Sequence, residues 1–498
     1  MSQFHTAQTL HDVLSYLGQV IDPVVNTDCQ HLVLDSLHVQ AGDVFCALTH
    51  NDAQRSAHIQ QALAQGAVAI LSAYQLADDC ESSVPLYVIS DLHGQIAGLA
   101  NWFYGHPSHA LTVIGVTGTN GKTSICHYLA QFLSHDQVTA VLGTVGNGIW
   151  PELLPSSLTT LDCCALQRQL RDFVRHSVQY VVMEVSSHAL AQHRVQGMRF
   201  DTAVFANFTQ DHLDYHGDMH TYAAVKAELF RMPGLRCAVL NRDSEFFELM
   251  AQQQAAIEQV YTFGHRTPAT VRLQSIQCTA QGIELTVATP SGQLAFSVGL
   301  LGAFNADNIL AVIGVLLGLG YAPETLPRYL SQLHAVRGRM QVLSHMCQPT
   351  VVIDYAHTPD AMAQALQALR LHCHGHLWVV FGCGGDRDAQ KRPLMAAVAE
   401  RYADCIVVTE DNARFESPCA IFDDILRGFV DDQAVHLVPK RDQAIAFALS
   451  HAVASDVVAL LGKGHETYLD QKGHRRPFDE YQLVKSLWGK ITCTHSTH

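Results

Sequence analysis

The stretch from residue 111 to residue 124 constrains the fold of this chain more than any other part of the sequence. Its first half is apolar and β-branched, which predicts a buried parallel strand. Gly118-Thr-Asn-Gly-Lys-Thr123 then predicts a turn, and the apolar residues after it recur at helical spacing. A strand, a glycine-rich turn and a helix are typical of a phosphate-binding loop, because small residues let backbone N–H groups approach a phosphate.

The side chains of this turn predict a nucleotide site with a metal ion. Lys122 is placed to reach the β- and γ-phosphates, and the Thr123 hydroxyl is placed to bind Mg²⁺. The strict motif is matched imperfectly, because five residues rather than four separate Gly115 from Gly121. A chance Gly-Lys-Thr after a strand is the alternative. We favour the phosphate loop because Gly118 and a clear helical pattern accompany it.

Composition bounds the size and class of the protein. A length of 498 residues predicts about three domains. The formal charge of −15 argues against a general binder of nucleic acid or membrane surfaces. Fourteen cysteines without a repeated spacing predict reduced thiols and hence a cytoplasmic protein, and residues 1–12 show no signal-peptide core. The longest apolar run, residues 309–321, predicts a buried helix rather than a membrane span.

We predict an α/β protein of three domains. Residues 1–90 form a small α/β domain, residues 91–337 a central domain with a phosphate-loop parallel sheet, and residues 338–498 a doubly wound domain. The last prediction rests on four apolar runs, each followed by glycines and charged residues, which is typical of a sheet with one functional edge. These runs are residues 351–353, 377–381, 405–409 and 457–461.

Polar residues follow two predicted strands of the central domain. The run at 180–185 ends at Glu184, and the run at 202–206 leads to His212. Because ligands sit outside the carboxyl ends of parallel strands, both side chains are predicted to approach the phosphate loop. A solvated carboxylate and a loop histidine are the alternatives.

Two groups of histidines could also bind zinc, but their spacing fits the known zinc patterns poorly. His212 and His216 are four residues apart, but the glutamate of the zinc-protease pattern is missing. The second group is spaced too tightly for the usual structural sites, so an ordinary turn is favoured there. It consists of His372, Cys373, His374 and His376.

Six motifs resemble those of the Mur ligases and follow one another in that family's order. Within the family they are most similar to the diaminopimelate-adding members. The resemblance covers the chain from Asp35 to Glu466. The six motifs are Gly118-Thr-Asn-Gly-Lys-Thr123, Met183-Glu-Val-Ser-Ser-His188, Asp211-His-Leu-Asp-Tyr-His216, Asp354-Tyr-Ala-His357, Gly384-Gly-Asp-Arg387 and Gly462-Lys-Gly-His-Glu466.

The resemblance implies an ATP-dependent amide ligase of peptidoglycan precursor synthesis. ATP would phosphorylate the free carboxylate of UDP-N-acetylmuramoyl-L-alanyl-D-glutamate, and the amine of meso-diaminopimelate would attack the acyl phosphate. It implies that the three domains bind UDP, ATP and the amino acid in that order along the chain. A monomer that uses Mg²⁺ is expected.

The resemblance also implies roles for individual residues. Catalysis is assigned to Lys122, Glu184, His212 and Lys226. Magnesium is assigned to Thr123, Glu184, His212 and Lys226, the last as a carbamylated lysine, with a helix-surface lysine as the alternative. ATP is assigned to Gly118, Thr119, Asn120, Gly121, Lys122, Thr123, Asn305, Asn308, Arg337, Asp354 and His357. The UDP-dipeptide is assigned to Ser36, Thr159, Thr160, Ser186, Gln192 and Arg194. Diaminopimelate is assigned to Arg387, Asp411, Asn412, Arg414, Gly462 and Glu466.

The chain departs from the family pattern at four places. Leu37 replaces an arginine near the expected uridine pocket, which leaves open how the uridine is held. Ala413 replaces a proline in the expected amino-acid site and frees its φ angle. The other departures are Gln341 in place of a glutamate and Leu161-Asp162 in place of small residues.

Three other functions compete with this interpretation. The first is another ligase of the superfamily, such as an L-lysine-adding Mur ligase. A folylpolyglutamate synthetase is disfavoured by the first domain and by Thr159-Thr160. A non-catalytic nucleotide-binding sensor is disfavoured because it would have no need to keep Lys122, Glu184, His212 and Lys226 together.

Overall fold

A computed structural model describes residues 8–19, 27–75, 82–252, 257–279, 282–431 and 433–494 of the chain. Residues 1–7, part of the stretch predicted to lack a signal peptide, lie outside these ranges. The chain forms two compact units. The first unit runs to Phe263 and includes Gly314–Gly320, and the second comprises Gly264–Ile313 and the chain from Tyr321 onward.

The first unit alternates strands and helices. Its strands are β1 (Leu32–Val33), β2 (Val44–Ala47), β3 (Ala69–Ser72), β4 (Leu86–Val88), β5 (Thr112–Thr117), β6 (Thr139–Leu142), β7 (Asn147–Ile149), β8 (Tyr180–Glu184), β9 (Thr202–Phe205), β10 (Cys237–Asn241) and β11 (Gln259–Gly264). Its helices are α1 (Leu10–Tyr16), α2 (Asp52–Ala64), α3 (Leu92–Phe103), α4 (Lys122–Leu133), α5 (Cys163–Arg175), α6 (Ser187–Ala191), α7 (Leu213–His216), α8 (Met219–Ala227) and α9 (Phe247–Ala251).

A small parallel sheet lies at the start of the first unit, with its strands in the order β1-β2-β3-β4. Helix α1 begins at a capping box, in which the Thr9 hydroxyl accepts from Asp12 N and the Asp12 carboxylate accepts from Thr9 N. Helix α3 buries Ile96 and Leu99 in the same core as α1 and β2. The predicted boundary at residue 90 stays a prediction.

The central sheet of the first unit has the order β11-β10-β9-β5-β8-β6-β7. All neighbours are parallel except β6 and β7. Strand β5 lies between β8 and β9, so the carboxyl ends of all three meet at one edge. Gly115 lies inside β5, where a Cβ would come within 2.8 Å of the Phe200 ring. This glycine is therefore needed for packing, which explains the imperfect motif spacing.

The second unit contains a meander and a doubly wound sheet. Its strands are β12 (Val271–Thr279), β13 (Gly282–Thr289), β14 (Gly292–Val298), β15 (Gln341–Leu343), β16 (Thr350–Asp354), β17 (Leu377–Phe381), β18 (Cys405–Val408), β19 (Val435–Leu437), β20 (Val457–Leu461), β21 (Tyr468–Gln471) and β22 (His474–Pro477). Its helices are α10 (Phe304–Gly318, whose last turn belongs to the first unit), α11 (Leu326–Leu330), α12 (Pro359–Arg370), α13 (Lys391–Tyr402), α14 (Pro418–Leu426), α15 (Arg441–His451) and α16 (Glu480–Thr494).

The doubly wound sheet has the order β15-β16-β20-β17-β18-β19, and only β15 is antiparallel to its neighbour. The four predicted strands are thus confirmed as adjacent parallel strands. Alternate residues of each strand belong to two separate hydrophobic cores, one on each face of the sheet. Helices therefore cover both faces. The predicted buried helix is α10, in which Ile309 and Ile313 are fully buried.

Two expectations about the whole chain can be checked on the described residues. Twelve of the cysteines within them are free thiols. None of the helices seen there is both long and apolar enough to cross a membrane.

Candidate active site

The phosphate loop lies between β5 and α4. Gly121 has a φ of 82°, in the left-handed region that favours glycine. At Gly118 a Cβ would come within 2.9 Å of Ala206 Cβ, so only glycine fits there as well. Asn207, directly after β9, holds the loop: its carbonyl accepts from Thr119 N at 3.1 Å and its Oδ1 from Asn120 N at 2.8 Å. The conformation of the loop is therefore tied to the segment that follows β9.

Two lysines meet at one carbonyl of this loop. Lys122 Nζ donates to Gly118 O at 2.8 Å, and Lys226 Nζ donates to the same oxygen at 3.0 Å. Lys226 extends from α8, is buried, and lies 4.4 Å from the centre of the Tyr222 ring. Burial, and then the charge of Lys122, hold the pKa of Lys226 well below its usual value, against the opposing effect of Asp211. The alternative of a helix-surface lysine is wrong.

Glu184, the last residue of β8, is a buried carboxylate beside the loop. The Thr123 hydroxyl lies 3.0 Å from both of its oxygens. Thr144 donates to it twice, from N to Oε1 at 2.7 Å and from Oγ1 to Oε2 at 3.3 Å. These donors are all neutral. A buried carboxylate with neutral donors next to a phosphate cradle fits a divalent cation.

The two histidine groups considered as zinc sites can be compared with the structure. The described ranges hold no group of three or more His, Cys, Asp and Glu side chains placed to bind a metal on their own. Mg²⁺ needs few protein ligands because it binds substrate phosphates and water, whereas zinc sites rely on protein side chains. His372 has a structural role, with its Nδ1 2.6 Å from Thr279 O and its Nε2 accepting from Gly302 N at 3.3 Å. The turn favoured there is confirmed.

His212 lies at the edge predicted for it. It has a φ of 53° and directly precedes α7. Its ring is about half exposed, and the ring atom Nε2 lies 3.3 Å from Asp211 Oδ2. The ring also packs edge-on against the ring of His188, with 4.8 Å between the two ring centres. It is thus held on the polypeptide that follows β9, the strand next to the phosphate loop.

A chain of hydrogen bonds joins Glu184 to the predicted dipeptide residues. Thr144 Oγ1 lies 3.0 Å from Thr159 Oγ1, so that the Thr159 hydroxyl can donate to Thr144 while Thr144 donates to Glu184. Thr160 Oγ1 donates to the Glu184 carbonyl at 2.8 Å and accepts from Ser186 N at 3.1 Å. Thr144 was missed by sequence reasoning, although it follows β6, the strand beside β8, and the rule for strand ends would have found it.

An arginine completes this chain. Arg194 Nη1 donates to Thr160 O at 2.8 Å, and its Nε donates to Gln192 Oε1 at 3.0 Å. The Gln192 amide nitrogen donates in turn to Tyr215 OH at 3.4 Å. The structure therefore brings together Thr159, Thr160, Ser186, Gln192 and Arg194, in one strip next to Glu184.

The expected uridine contact, Ser36, begins a short 3₁₀ helix, Ser36–His38, that follows β1. Ser36 is buried and donates to Gln61 Oε1 at 2.8 Å. The adjacent Leu37 is 66% exposed. An apolar side chain at that position offers a surface for packing and no charge for an anion.

The predicted ATP contacts of the second unit form two groups. In α10, Asn305 Nδ2 donates to Leu301 O at 2.8 Å, and Asn308 Nδ2 donates to Asn305 Oδ1 at 2.9 Å, so the two buried amides fix each other. Arg337 is half exposed and pairs with Asp479 at 2.7 Å.

The second group surrounds the end of β16. The Asp354 carboxylate accepts from Met340 N at 2.7 Å and from Ala356 N at 2.8 Å, and burial raises its pKa while Arg339 opposes the rise. His357 Nδ1 lies 2.8 Å from Tyr355 O. Nearby, Gln341 Oε1 accepts from Gly338 N at 2.9 Å, so the amide can act as an acceptor where the family pattern has a glutamate.

Four predicted amino-acid contacts lie at the ends of β18 and β20. Asn412 Nδ2 donates to Glu466 Oε2 at 2.8 Å. A buried lysine absent from the predicted set, Lys463, donates to Glu466 Oε2 at 2.7 Å and to Asp411 Oδ1 at 3.4 Å. At Gly462 a Cβ would come within 2.9 Å of Asp411 Oδ2, so this glycine makes room for the carboxylate.

Two arginines flank the loop after β17. Arg414 has a φ of 49° and donates from Nη1 to Gly385 O at 2.5 Å. Arg387 is exposed, and a Cβ on Gly384 would lie 3.1 Å from Arg414 Nη1 and 3.9 Å from Arg387 Cγ. Both side chains therefore pass close to Gly384, although they belong to the loops after two different strands. Ala413 is buried, so loss of the proline does not expose this position.

An arginine that sequence reasoning missed supports this loop. Arg392 is fully buried and forms a two-pronged ion pair with Glu416, both distances being 2.6 Å. It also pairs with Asp424 at 2.9 Å. Glu416 Oε2 then accepts from Asp386 N at 3.1 Å, which ties the ion pair to the segment that carries Arg387.

Comparison with known proteins identifies the class of protein. The Mur ligase middle domain matches residues 116–316, and the Mur ligase, glutamate ligase domain matches residues 338–464. The chain belongs to the Mur ligase family, as the motifs predicted.

The most informative relatives belong to one branch of that family. The chain is 44% identical over 469 residues to a UDP-N-acetylmuramoyl-L-alanyl-D-glutamate--2,6-diaminopimelate ligase from Pseudomonas aeruginosa, covering 94% of this chain and 96% of that protein. It is similar to a solved structure of a ligase with the same name, at 34% identity and a TM-score of 0.69, over 98% of this chain and 100% of that one. A likeness at 18% identity and a TM-score of 0.67 to MurF from Acinetobacter baumannii, covering 96% of this chain and 98% of that chain, concerns the fold alone.

Proposed function

We propose that this chain joins UDP-N-acetylmuramoyl-L-alanyl-D-glutamate to meso-diaminopimelate, with hydrolysis of ATP to ADP and phosphate. The observation that carries the proposal is the position of Glu184, whose carboxylate contacts Thr123 of the phosphate loop and Thr144, the neighbour of Thr159 in the predicted dipeptide strip. One buried charge thus lies between a nucleotide site and a second substrate site. A ligase that forms an acyl phosphate needs this adjacency, because the γ-phosphate must reach a carboxylate of the other substrate.

Phosphoryl transfer in this site depends on positioning and charge neutralisation. Lys122 binds the β- and γ-phosphates after exchanging its bonds to Gly118 O and Thr119 O for phosphate oxygens. Bound Mg²⁺ would be held by Thr123, Glu184, His212 and Lys226, and it would neutralise the phosphate charge. Arg194 offers a planar pair of donors for a carboxylate of the dipeptide, and Gln192 already orients it.

The modification of Lys226 is part of this proposal. A buried ammonium beside Lys122 would repel a metal ion, whereas a carbamate on the same nitrogen supplies a carboxylate. The lowered pKa of Lys226 supports the modification, because only the neutral amine reacts with CO₂.

The amino-acid site is proposed at Arg387, Asp411, Asn412, Arg414, Gly462 and Glu466. Diaminopimelate differs from L-lysine by a carboxylate beside the side-chain amine. Arg414 provides a two-pronged donor for that carboxylate, and Glu466 provides a carboxylate for the amine. The protein is proposed to act as a monomer in the cytoplasm, where ATP and UDP-linked precursors are available.

An amine panel tests this function. The parent protein, ATP, Mg²⁺ and the UDP-dipeptide are incubated with meso-diaminopimelate, L-lysine or D-alanyl-D-alanine, and products are measured by mass spectrometry. We expect a tripeptide product and ADP with diaminopimelate alone at low amine concentration. Equal use of lysine would support the lysine-adding alternative, and no ADP with any amine would support the sensor alternative.

A further inference from the structure

The loop after β20 carries a lysine that neither the motifs nor the comparisons assign. Lys463 has no exposed side-chain surface. Its ammonium lies 2.7 Å from Glu466 Oε2, 3.1 Å from Asn412 Oδ1 and 3.4 Å from Asp411 Oδ1. A lysine ammonium has three N–H donors, and here each has an acceptor. A buried cation with this complete set of partners is fixed in position.

The hydrogen bonds around Lys463 determine how its neighbours are oriented. Asn412 Oδ1 accepts from Lys463 Nζ and from Asp470 N at 2.9 Å, so its amide nitrogen must point to Glu466. In the described part of the chain, both hydrogen bonds to the Glu466 carboxylate end on Oε2. This arrangement directs Oε1 away from Lys463, where it can accept from a ligand. The Glu466 side chain is 17% exposed, which makes such a contact possible.

Lys463 also sets the charge of the site. Asp411 and Glu466 are two carboxylates that contact one ammonium, so the group carries a net charge of −1 rather than −2. Burial opposes the charge on Asp411, but Lys463 and Arg441, with hydrogen bonds from Asn412 N and Lys463, hold its pKa below the usual range. Without Lys463, two close carboxylates would repel each other and compete for a proton.

We propose that Lys463 is a positioning residue for the amino-acid substrate, acting through Glu466. The ammonium holds Glu466 Oε2, and Glu466 Oε1 receives the side-chain ammonium of the amine substrate. The inference rests on the proposed function, since it assumes that Glu466 contacts the amine. It adds a residue whose own atoms do not touch substrate, and it predicts a selective loss of affinity for the amine.

The test compares Lys463→Met with the parent in steady-state kinetics for each of the three substrates. Lys440→Met is the matched control, because Lys440 lies in the same unit, is 57% exposed and pairs with Glu410 at 3.6 Å. We expect Lys463→Met to raise the KM for diaminopimelate by at least about tenfold, while the KM values for ATP and UDP-dipeptide stay within about twofold. An unchanged KM for diaminopimelate, or equal rises for all three substrates, would overturn the proposal.

A second pair of variants serves if Lys463→Met does not fold. Glu466→Gln and Lys463→Gln/Glu466→Gln are compared, because removing both charges of a buried pair is tolerated better than removing one. If Lys463 acts through Glu466, adding Lys463→Gln leaves the KM for diaminopimelate within about twofold of that of Glu466→Gln. A further tenfold rise would refute action through Glu466. Failure of the proposed function itself is seen earlier, as a parent that forms no ADP with diaminopimelate.

Discussion

Replacing Lys226 tests the most demanding part of the catalytic site. We expect Lys226→Ala to lose at least about a hundredfold in kcat, because phosphoryl transfer loses a metal-bound carboxylate. A short-chain carboxylate such as acetate or formate should restore part of the activity, since it can enter the space left by the side chain. Lys226→Met is the matched control, because its longer side chain fills that space and should not be rescued.

The structure gives a magnitude for the state of Lys226 before modification. Its Nζ and that of Lys122 lie 3.0 and 2.8 Å from Gly118 O, so the two nitrogens are at most 5.8 Å apart. Two positive charges at that distance repel by about 3 kcal/mol at an effective dielectric constant of about 20. Burial adds to the cost of the charge. The neutral amine is therefore favoured, and the proposed reaction with CO₂ would convert it to an anion that attracts Lys122.

This reasoning predicts a dependence of stability on pH in CO₂-free buffer. The folded pKa of Lys226 is lowered from 10.5, so between the lowered value and 10.5 the unfolded chain binds one proton more than the folded chain. The free energy of unfolding must then rise with pH through that window. Lys226→Met lacks this contribution, and the difference between the two proteins measured by thermal unfolding isolates it.

The assay for activity is ADP release in degassed buffer with and without bicarbonate. We expect bicarbonate to activate the parent and to leave Lys226→Met unchanged. Intact mass spectrometry at alkaline pH should detect the added CO₂ on the parent. The reasoning is refuted if Lys226→Ala turns over like the parent, or if the parent is equally active with and without bicarbonate.

The other predictions concern single side chains of the two units. Lys122→Ala should lower kcat by at least about a hundredfold without lowering the Tm, because one cation facing the transferred phosphate is lost. Normal turnover by the folded variant would exclude the phosphate-loop assignment. Glu184→Gln should raise the Mg²⁺ concentration for half-maximal activity by at least about tenfold, measured by Mg²⁺ titration, and an unchanged titration curve would argue against a metal contact. Arg414→Ala should cost about 2–5 kcal/mol of discrimination between diaminopimelate and lysine, roughly 30-fold to several thousand-fold in the ratio of kcat/KM values, and an unchanged ratio would show that Arg414 does not read the extra carboxylate. Arg401→Ala, on α13 of the same unit, is the control for Arg414→Ala.

Much of the fold could be predicted because its strands are buried on both faces. The runs ending at Phe381 and Leu461 are continuous apolar segments, and β17 and β20 match them residue for residue. Glu184 could be placed for the same reason, since a charged residue that ends a buried strand marks the edge where ligands bind. Gly115 misled the motif count because sequence spacing does not distinguish a glycine required by the Phe200 ring from one required by a phosphate.

The supporting side chains could not be predicted, because their partners are distant along the chain. Thr144 is 40 residues from Glu184, and Lys463 is 51 residues from Asn412. Their pairing depends on the order of strands in each sheet, and a sequence pattern does not contain that order. Arg392 looks like an ordinary helix residue until the fold places Glu416 and Asp424 against it.

The position of Glu184 between two hydrogen-bonded sets has a thermodynamic consequence. Its carboxylate accepts from Thr123 and Thr144, while its carbonyl accepts from Thr160. A dipeptide that draws Thr144 or Thr160 into its own contacts changes what this carboxylate offers to the metal and the nucleotide. Thermodynamic linkage makes this effect reciprocal. If the dipeptide changes the affinity for Mg²⁺–ATP by a certain factor, then Mg²⁺–ATP changes the affinity for the dipeptide by the same factor. In the proposed site the two ligands would set each other's occupancy through a single residue, and the order in which they arrive would not alter the final complex.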